Sequence, residues 1–233
     1  MKKDLLSAFL KGILAGLAIG CGGFLYLLMT FLIQGELGKV LGSILFAVGL
    51  FTVCAFSLTL YTGKVGLIYE KKQTTSFYVS LPIMLLGNAV GATLLGYLCF
   101  LIFGSLDGTS IYTTAVSASE SRLAFNSFND YLSCIVKSIL CGLCVYLAVK
   151  SFAYKKISVL GTGLLVFFVF VFVYSGFQHC IANMFYFAFA NAWGDGHAVS
   201  VIINLILCIL FNSVGPIFGV LLMKAVSPKT ESK

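Results

Sequence analysis

The chain has 233 residues, of which 60% are hydrophobic and only 10% charged, and its mean hydropathy is +1.04. That balance excludes a soluble enzyme or binding domain and defines an integral membrane protein. The net charge of +7 is read as membrane topology rather than as a nucleic-acid footprint, because the basic residues sort to one side of the spans.

Six hydrophobic spans are predicted, roughly residues 8–33, 40–68, 77–104, 129–152, 157–191 and 199–226. No soluble domain of useful size lies between them, so residues 1–233 form one membrane domain. Met1, Lys2, Lys3 and Asp4 lead straight into span one with no small-residue cleavage pattern, which predicts an uncleaved N-terminus. Gly12, Gly16 and Gly20 recur on one face of that span and predict close helix packing in lipid. A crossing needs about 20 residues, so spans two and five are too long for one plain helix. Span two carries a polar interruption over Ser57–Lys64. Span four holds Cys141 and Cys144, a spacing that suggests a redox or metal pair. With no second pair and no histidine nearby, these read as packing residues, and no metal or cofactor is expected. Span five is almost purely apolar from Gly163 to Tyr174, then presents Ser175, Gly176, Gln178, His179 and Asn183 in quick succession. Polar groups at mid-membrane depth are costly and by default line a cavity or path. In the loop that follows, Asp195 and His197 read as solvated, and Trp193 with Tyr186 as an interfacial aromatic belt.

With the N-terminus inside, Lys2, Lys3, Lys11, Lys64, Lys71, Lys72, Lys150, Lys155, Lys156, Lys224, Lys229 and Lys233 fall on or near the cytoplasmic side. Lys39 and Arg122 fall in outer loops, and Lys137 begins span four. The positive-inside rule then predicts a multi-pass protein of the cell's inner (plasma) membrane with both termini cytoplasmic.

Two echoes organise the chain. Lys11, Ile13, Leu14, Gly16 and Leu17 open span one as Lys137, Ile139, Leu140, Gly142 and Leu143 open span four, displaced by 126 positions. Asn88 and Gly91 of span three return as Asn212 and Gly215 of span six, displaced by 124. Near-equal offsets predict duplication of a three-span unit, about 5–104 and 129–226. Three crossings are odd in number, so the copies must have inverted topology, with broken spans two and five meeting at the midplane.

The interrupted Leu60, Tyr61, Thr62 and Gly63, the Gly87, Asn88, Gly91 and Ala92 of span three, and the Gly176, Phe177, His179, Ile181, Ala182, Asn183 and Met184 of span five together resemble the formate/nitrite transporter family over nearly the whole chain. The resemblance implies an all-α, aquaporin-like protomer of six membrane helices, a homopentamer, and one small-anion path per protomer. It also implies a central pore histidine at His179, a facing threonine at Thr62, and Asn183 one turn beyond. Leu60 and Tyr61 would form the cytoplasmic constriction, and Phe46, Leu50 and Phe172 the one on the other side. The chain departs from the family pattern where Thr59 and Gln178 replace acidic residues, where Gly142 and Leu143 replace an Asn-Trp pair, and where Lys64 adds a cation.

A bare carboxylate taken into hydrocarbon costs tens of kcal/mol on a Born estimate. Exposed half-helix N-termini, vestibule cations at Lys11, Lys137 and Lys64, and proton sharing at His179 are the expected offsets. The expected function is therefore a membrane channel or transporter for monovalent anions of weak acids, with formate first and hydrosulfide or nitrite as alternatives. A membrane enzyme using His179, and a scaffold, are the competing readings. The former lacks a second intramembrane His or carboxylate cluster, and the latter leaves two costly breaks unexplained. Lipid and the anion are the expected partners, with no nucleic acid.

Overall fold

The computed structural model describes residues 2–104, 110–155 and 158–226. Lys156, Lys229 and Lys233, assigned above to the cytoplasmic side, lie outside them, as do the side chains of Lys2 and Lys155. The described chain is helical, in the order α1 (Lys2–Leu32), α2 (Glu36–Ala55), the single turns α3 (Tyr61–Lys64) and α4 (Leu67–Glu70), α5 (Thr75–Phe103), α6 (Ile111–Leu123), α7 (Phe128–Lys155), α8 (Val159–Tyr174), α9 (Cys180–Phe189) and α10 (Ala198–Val226). In hydrocarbon each backbone N–H and C=O must be satisfied within the protein, which makes helices the natural form of such apolar runs.

Among the described residues, five helices are long and apolar enough to cross a membrane: Lys3–Leu32, Glu36–Ala55, Thr75–Phe103, Phe128–Ala153 and Ala198–Ala225. The fifth hydrophobic span is not one of them. It is divided into the shorter α8 and α9 at Ser175–His179, where the sequence predicts the break. The second is a full-length α2 followed by two single turns. The segment between spans three and four contains α6, which the hydropathy pattern leaves in a loop. At 13 residues, with Ser, Thr and Glu along it, α6 gives no span signal.

The same crossing is built twice. α1 packs mainly on α5 and α2, and α7 on α10 and α8. A Cβ on Gly16 would lie 2.2 Å from the Asn88 carbonyl oxygen, and one on Gly142 lies 2.2 Å from that of Asn212. Likewise Gly91 faces the Ile13 oxygen at 2.0 Å, and Gly215 the Ile139 oxygen at 2.2 Å. Only the absence of a side chain lets these backbones meet. Cys141 and Cys144 are free thiols buried in this packing. All of α9 is buried, with Phe185, Phe187 and Phe189 among the largest fully enclosed side chains. Tyr186 is buried with them, so it is a core residue rather than a member of an interfacial belt, whereas Trp193, Asp195 and His197 are exposed.

Candidate functional site

The two breaks have one construction. After α2, the Ser57 N–H bonds to the Cys54 carbonyl and the Leu58 N–H to Val53. After α8, Gly176 bonds to Val173 and Phe177 to Phe172. This is the Schellman C-cap, and the residue at its left-handed position is Ser57 (φ 51°) in one and Gly176 (φ 65°) in the other. Two residues further on, each chain is held by an asparagine. Asn88 Nδ2 donates to the Gly12 (2.9 Å) and Thr59 (2.8 Å) carbonyls, while its Oδ1 accepts from the Tyr61 N–H (2.8 Å). Asn212 Nδ2 donates to the Ser138 and Gln178 carbonyls (both 2.8 Å), and its Oδ1 accepts from the Cys180 N–H (2.9 Å). Backbone groups freed by breaking a helix are thus re-satisfied by one buried amide per break.

The breaks meet at Thr62 and His179, both almost fully buried, with Oγ1 and Nε2 2.9 Å apart. His179 is also the N-cap of α9, and its Nδ1 accepts from the Ala182 N–H at 3.2 Å. With Nδ1 an acceptor, a neutral ring carries its hydrogen on Nε2 and donates it to Thr62. The open half-helix N-terminus expected from the sequence is therefore largely closed. The Cys180 N–H is taken by Asn212 and the Ala182 N–H by His179. The Phe172 ring lies 5.9 Å from the imidazole and meets Phe46 edge-on at 5.7 Å. Leu50, one turn along α2 from Phe46, is buried in the same core.

Two cavities flank this centre. One, of about 380 Å³, is lined by Leu60, Lys64, Leu58 and Phe152. The other holds only about 10 Å³, room for one water at most, and is lined by Phe46, Phe172, His179, Asn183, Tyr186 and Arg122. Several expected site residues sit elsewhere. Tyr61 turns away from Leu60, packing against the cluster of Ala8, Leu81 and Met84 with its hydroxyl 2.9 Å from Ser213 Oγ. Lys11 is exposed and borders a separate groove shared with Thr59, whose hydroxyl donates to the Ala8 carbonyl (2.8 Å). Lys137 is half-buried and lines neither flanking cavity, although its carbonyl accepts from the Gln178 N–H. Of the three vestibule cations, only Lys64 lines the large cavity. Gln178 and Asn183 belong to a buried polar network, which reaches the small cavity through Asn183. Asn183 Nδ2 donates to Gln178 Oε1 (2.7 Å) and to Asn204 Oδ1 (2.9 Å). The sequence reading misses Asn204, set among apolar residues of α10 two turns before Asn212, and puts Arg122 in an outer loop. The Arg122 Nε instead donates to Asn183 Oδ1 at 3.2 Å, and its guanidinium lies 4.6 Å from the Tyr186 ring centre.

An all-helical, multi-pass membrane protein with two broken segments joined at a buried imidazole is the class that this fold and site define. The chain belongs to the formate/nitrite transporter family, which matches residues 1–226. Among solved structures, it is similar to a pentameric formate channel with formate bound, at 24% identity and a TM-score of 0.80, with 97% of this chain and 98% of the other covered. It is also similar to an FNT family ion channel, at 22% identity and a TM-score of 0.78, covering 97% and 92%. No curated protein matches the chain.

Proposed function

We propose that the protein is a membrane channel for small monovalent anions of weak acids, with formate the lead substrate and nitrite or hydrosulfide the alternatives. The single observation that carries this reading is the Thr62–His179 hydrogen bond, which joins two broken segments between a wide cavity and a closed aromatic constriction. Family membership and the similarity to a pentameric formate channel with formate bound support formate and a ring of five protomers.

In this reading residues 1–233 are one membrane domain of six crossings, in two inverted units of about 5–104 and 129–226. The paired turns, paired asparagine clamps and paired glycine crossings support it. Both termini face the cytoplasm of a plasma-membrane protein, as the lysine distribution suggests. Lys64 then draws the anion into the cytoplasmic cavity, where its charge raises local anion concentration. Lys11 and Lys137 act at longer range. Leu60 closes that cavity from the centre, Tyr61 braces α10 through Ser213, and Phe46, Leu50 and Phe172 close the other side.

Between the two constrictions, the Nε2–H of His179 is shared between Thr62 and the anion. Proton sharing adds a second state. A proton entering at Nδ1 displaces the Ala182 N–H, so protonation and the α9 cap are coupled. An anion that accepts a proton there leaves as a neutral weak acid, which crosses the rings far more cheaply than the ion. Asn183 and Gln178 hold the wall behind His179 without placing a carboxylate there.

Flux of formate, nitrite and hydrosulfide into proteoliposomes tests the reading. Passage of at least one of them, lost in His179→Ala, is expected. A reconstituted protein that passes none of the three removes the proposal. Hydrosulfide passage without formate or nitrite replaces the lead substrate. A pH gradient that drives uphill accumulation would make it a proton-coupled transporter.

A further inference from the structure

We infer that Arg122 is the specificity-determining residue of this pore, gripping a planar anion with two adjacent oxygens, a carboxylate or nitrite, at the Phe46–Phe172 constriction next to His179. The inference rests on the anion-channel reading above and names the chemistry that channel selects.

Arg122 stands in the last turn of α6, the helix packed over α9. Its own carbonyl accepts from Asn204 Nδ2 (3.0 Å), which fixes the end of the helix in the buried amide network. The side chain is half-buried and turned inward, into the wall of the cavity that holds Phe46, Phe172, Asn183 and His179. Its Nη1 donates to the Ala118 carbonyl, its Nε donates to Asn183 Oδ1, and its plane lies over Tyr186. Each of these partners is neutral. Among the described residues no carboxylate pairs with Arg122. A guanidinium has five N–H donors. Two are used by protein, so three have no protein acceptor among the described residues.

A permanent positive charge held in the wall of the small cavity beside His179, with no carboxylate partner among the described residues, fits a group that a passing anion completes. The guanidinium fork matches two oxygens on one planar centre, whereas hydrosulfide offers one sulfur and cannot span it. The cation–π contact and the bond to Asn183 fix the plane in advance, which lowers the ordering cost of binding. The arrangement is one-sided. The cavity at Leu60 is lined by Lys64, a flexible point charge with no planar fork.

The test compares unmodified protein with Arg122→Lys and Arg122→Gln in proteoliposomes, following formate, nitrite and hydrosulfide, with thermal melting of the purified proteins alongside. Lysine keeps the charge and loses the fork. It is expected to raise the half-saturating formate and nitrite concentrations about tenfold and to cut the formate-to-hydrosulfide flux ratio by a similar factor. Glutamine is expected to cut that ratio further. In unmodified protein, nitrite should compete with formate more strongly than hydrosulfide does, and this arm needs no variant to fold. Equal loss of all three anions in the lysine variant, or an unchanged ratio, reduces Arg122 to a brace for α6 and overturns the inference. So does equal competition by nitrite and hydrosulfide in the unmodified protein. Unmodified protein that carries none of the three anions overturns the channel reading itself, a result separable from every Arg122 outcome.

Discussion

At the first break α2 stops at Ala55, Ser57 takes the left-handed turn, and the chain restarts at Tyr61 behind a leucine. At the second, α8 stops at Tyr174, Gly176 takes the same turn, and α9 starts behind a histidine. Turn, spacing and asparagine clamp coincide, yet Leu60 and His179 stand at the matching N-cap position. Leucine offers no acceptor to the helix that follows, and α3 is a single turn. Histidine caps α9, which runs ten residues and is buried throughout. The same backbone device thus breaks both membrane segments, and the two breaks differ in the side chain at the position where the helix resumes.

Making the second break resemble the first is expected to have the largest effect. His179→Leu should abolish anion flux in proteoliposomes while the protein still melts cooperatively at a lower temperature, because leucine fits the apolar surroundings and the losses are a cap worth about 1 kcal/mol and the buried Thr62 hydrogen bond, about 1–3 kcal/mol. Adding Leu60→His to that variant should not restore flux, since position 60 faces the wide cavity rather than the aromatic rings. Any recovery would make the two breaks interchangeable and undo the comparison.

Next come the clamps. Asn212→Ala strands the Gln178 carbonyl and the Cys180 N–H, both buried, and Asn88→Ala strands the part-buried Thr59 carbonyl and Tyr61 N–H, while the Ser138 and Gly12 carbonyls keep their intrahelical partners. Each unsatisfied buried group costs on the order of 1–3 kcal/mol. Both variants should melt at lower temperature, Asn212→Ala by more. The smallest effects fall on the turns. Nothing lies within 4 Å of where a Cβ on Gly176 would sit, so Gly176→Ala should cost only the left-handed backbone term, about 1 kcal/mol. Ser57→Gly should recover up to the same amount. Melting curves for both variants would measure the difference between the two turns directly.

The breaks are legible in the sequence because a polar string in the middle of an apolar run has no other inexpensive explanation. The repeat is legible through Lys11 and Lys137 and through Asn88 and Asn212, but the work of those asparagines is not. Asn212 joins Ser138, Gln178 and Cys180, residues 32 to 74 positions away, and no local pattern records such a meeting. The placement of Tyr61 is not legible because neighbouring residues at a helix start point about 100° apart, so Tyr61 need not face the cavity that Leu60 lines. Arg122 is misread because α6 is too short and too polar to register as a membrane helix, and a basic residue between spans defaults to solvent. Its inward turn is set by Asn204 and Tyr186, both distant in sequence.

The asparagine clamps have a kinetic consequence. A carrier that turns over by rocking one half against the other must slide its broken segments past the helices beside them. Here each break is tied by one amide to a flanking backbone, Asn88 to Gly12 and Asn212 to Ser138. Such sliding would shear buried hydrogen bonds in every cycle. Side-chain rotations need no such rupture, and even in a crowded wall they are local events far faster than domain rocking. In the channel reading proposed above, the aromatic rings of Phe46 and Phe172 would be the doors and the clamped backbone the frame, and throughput would be set by how often a ring swings aside rather than by the period of a transport cycle.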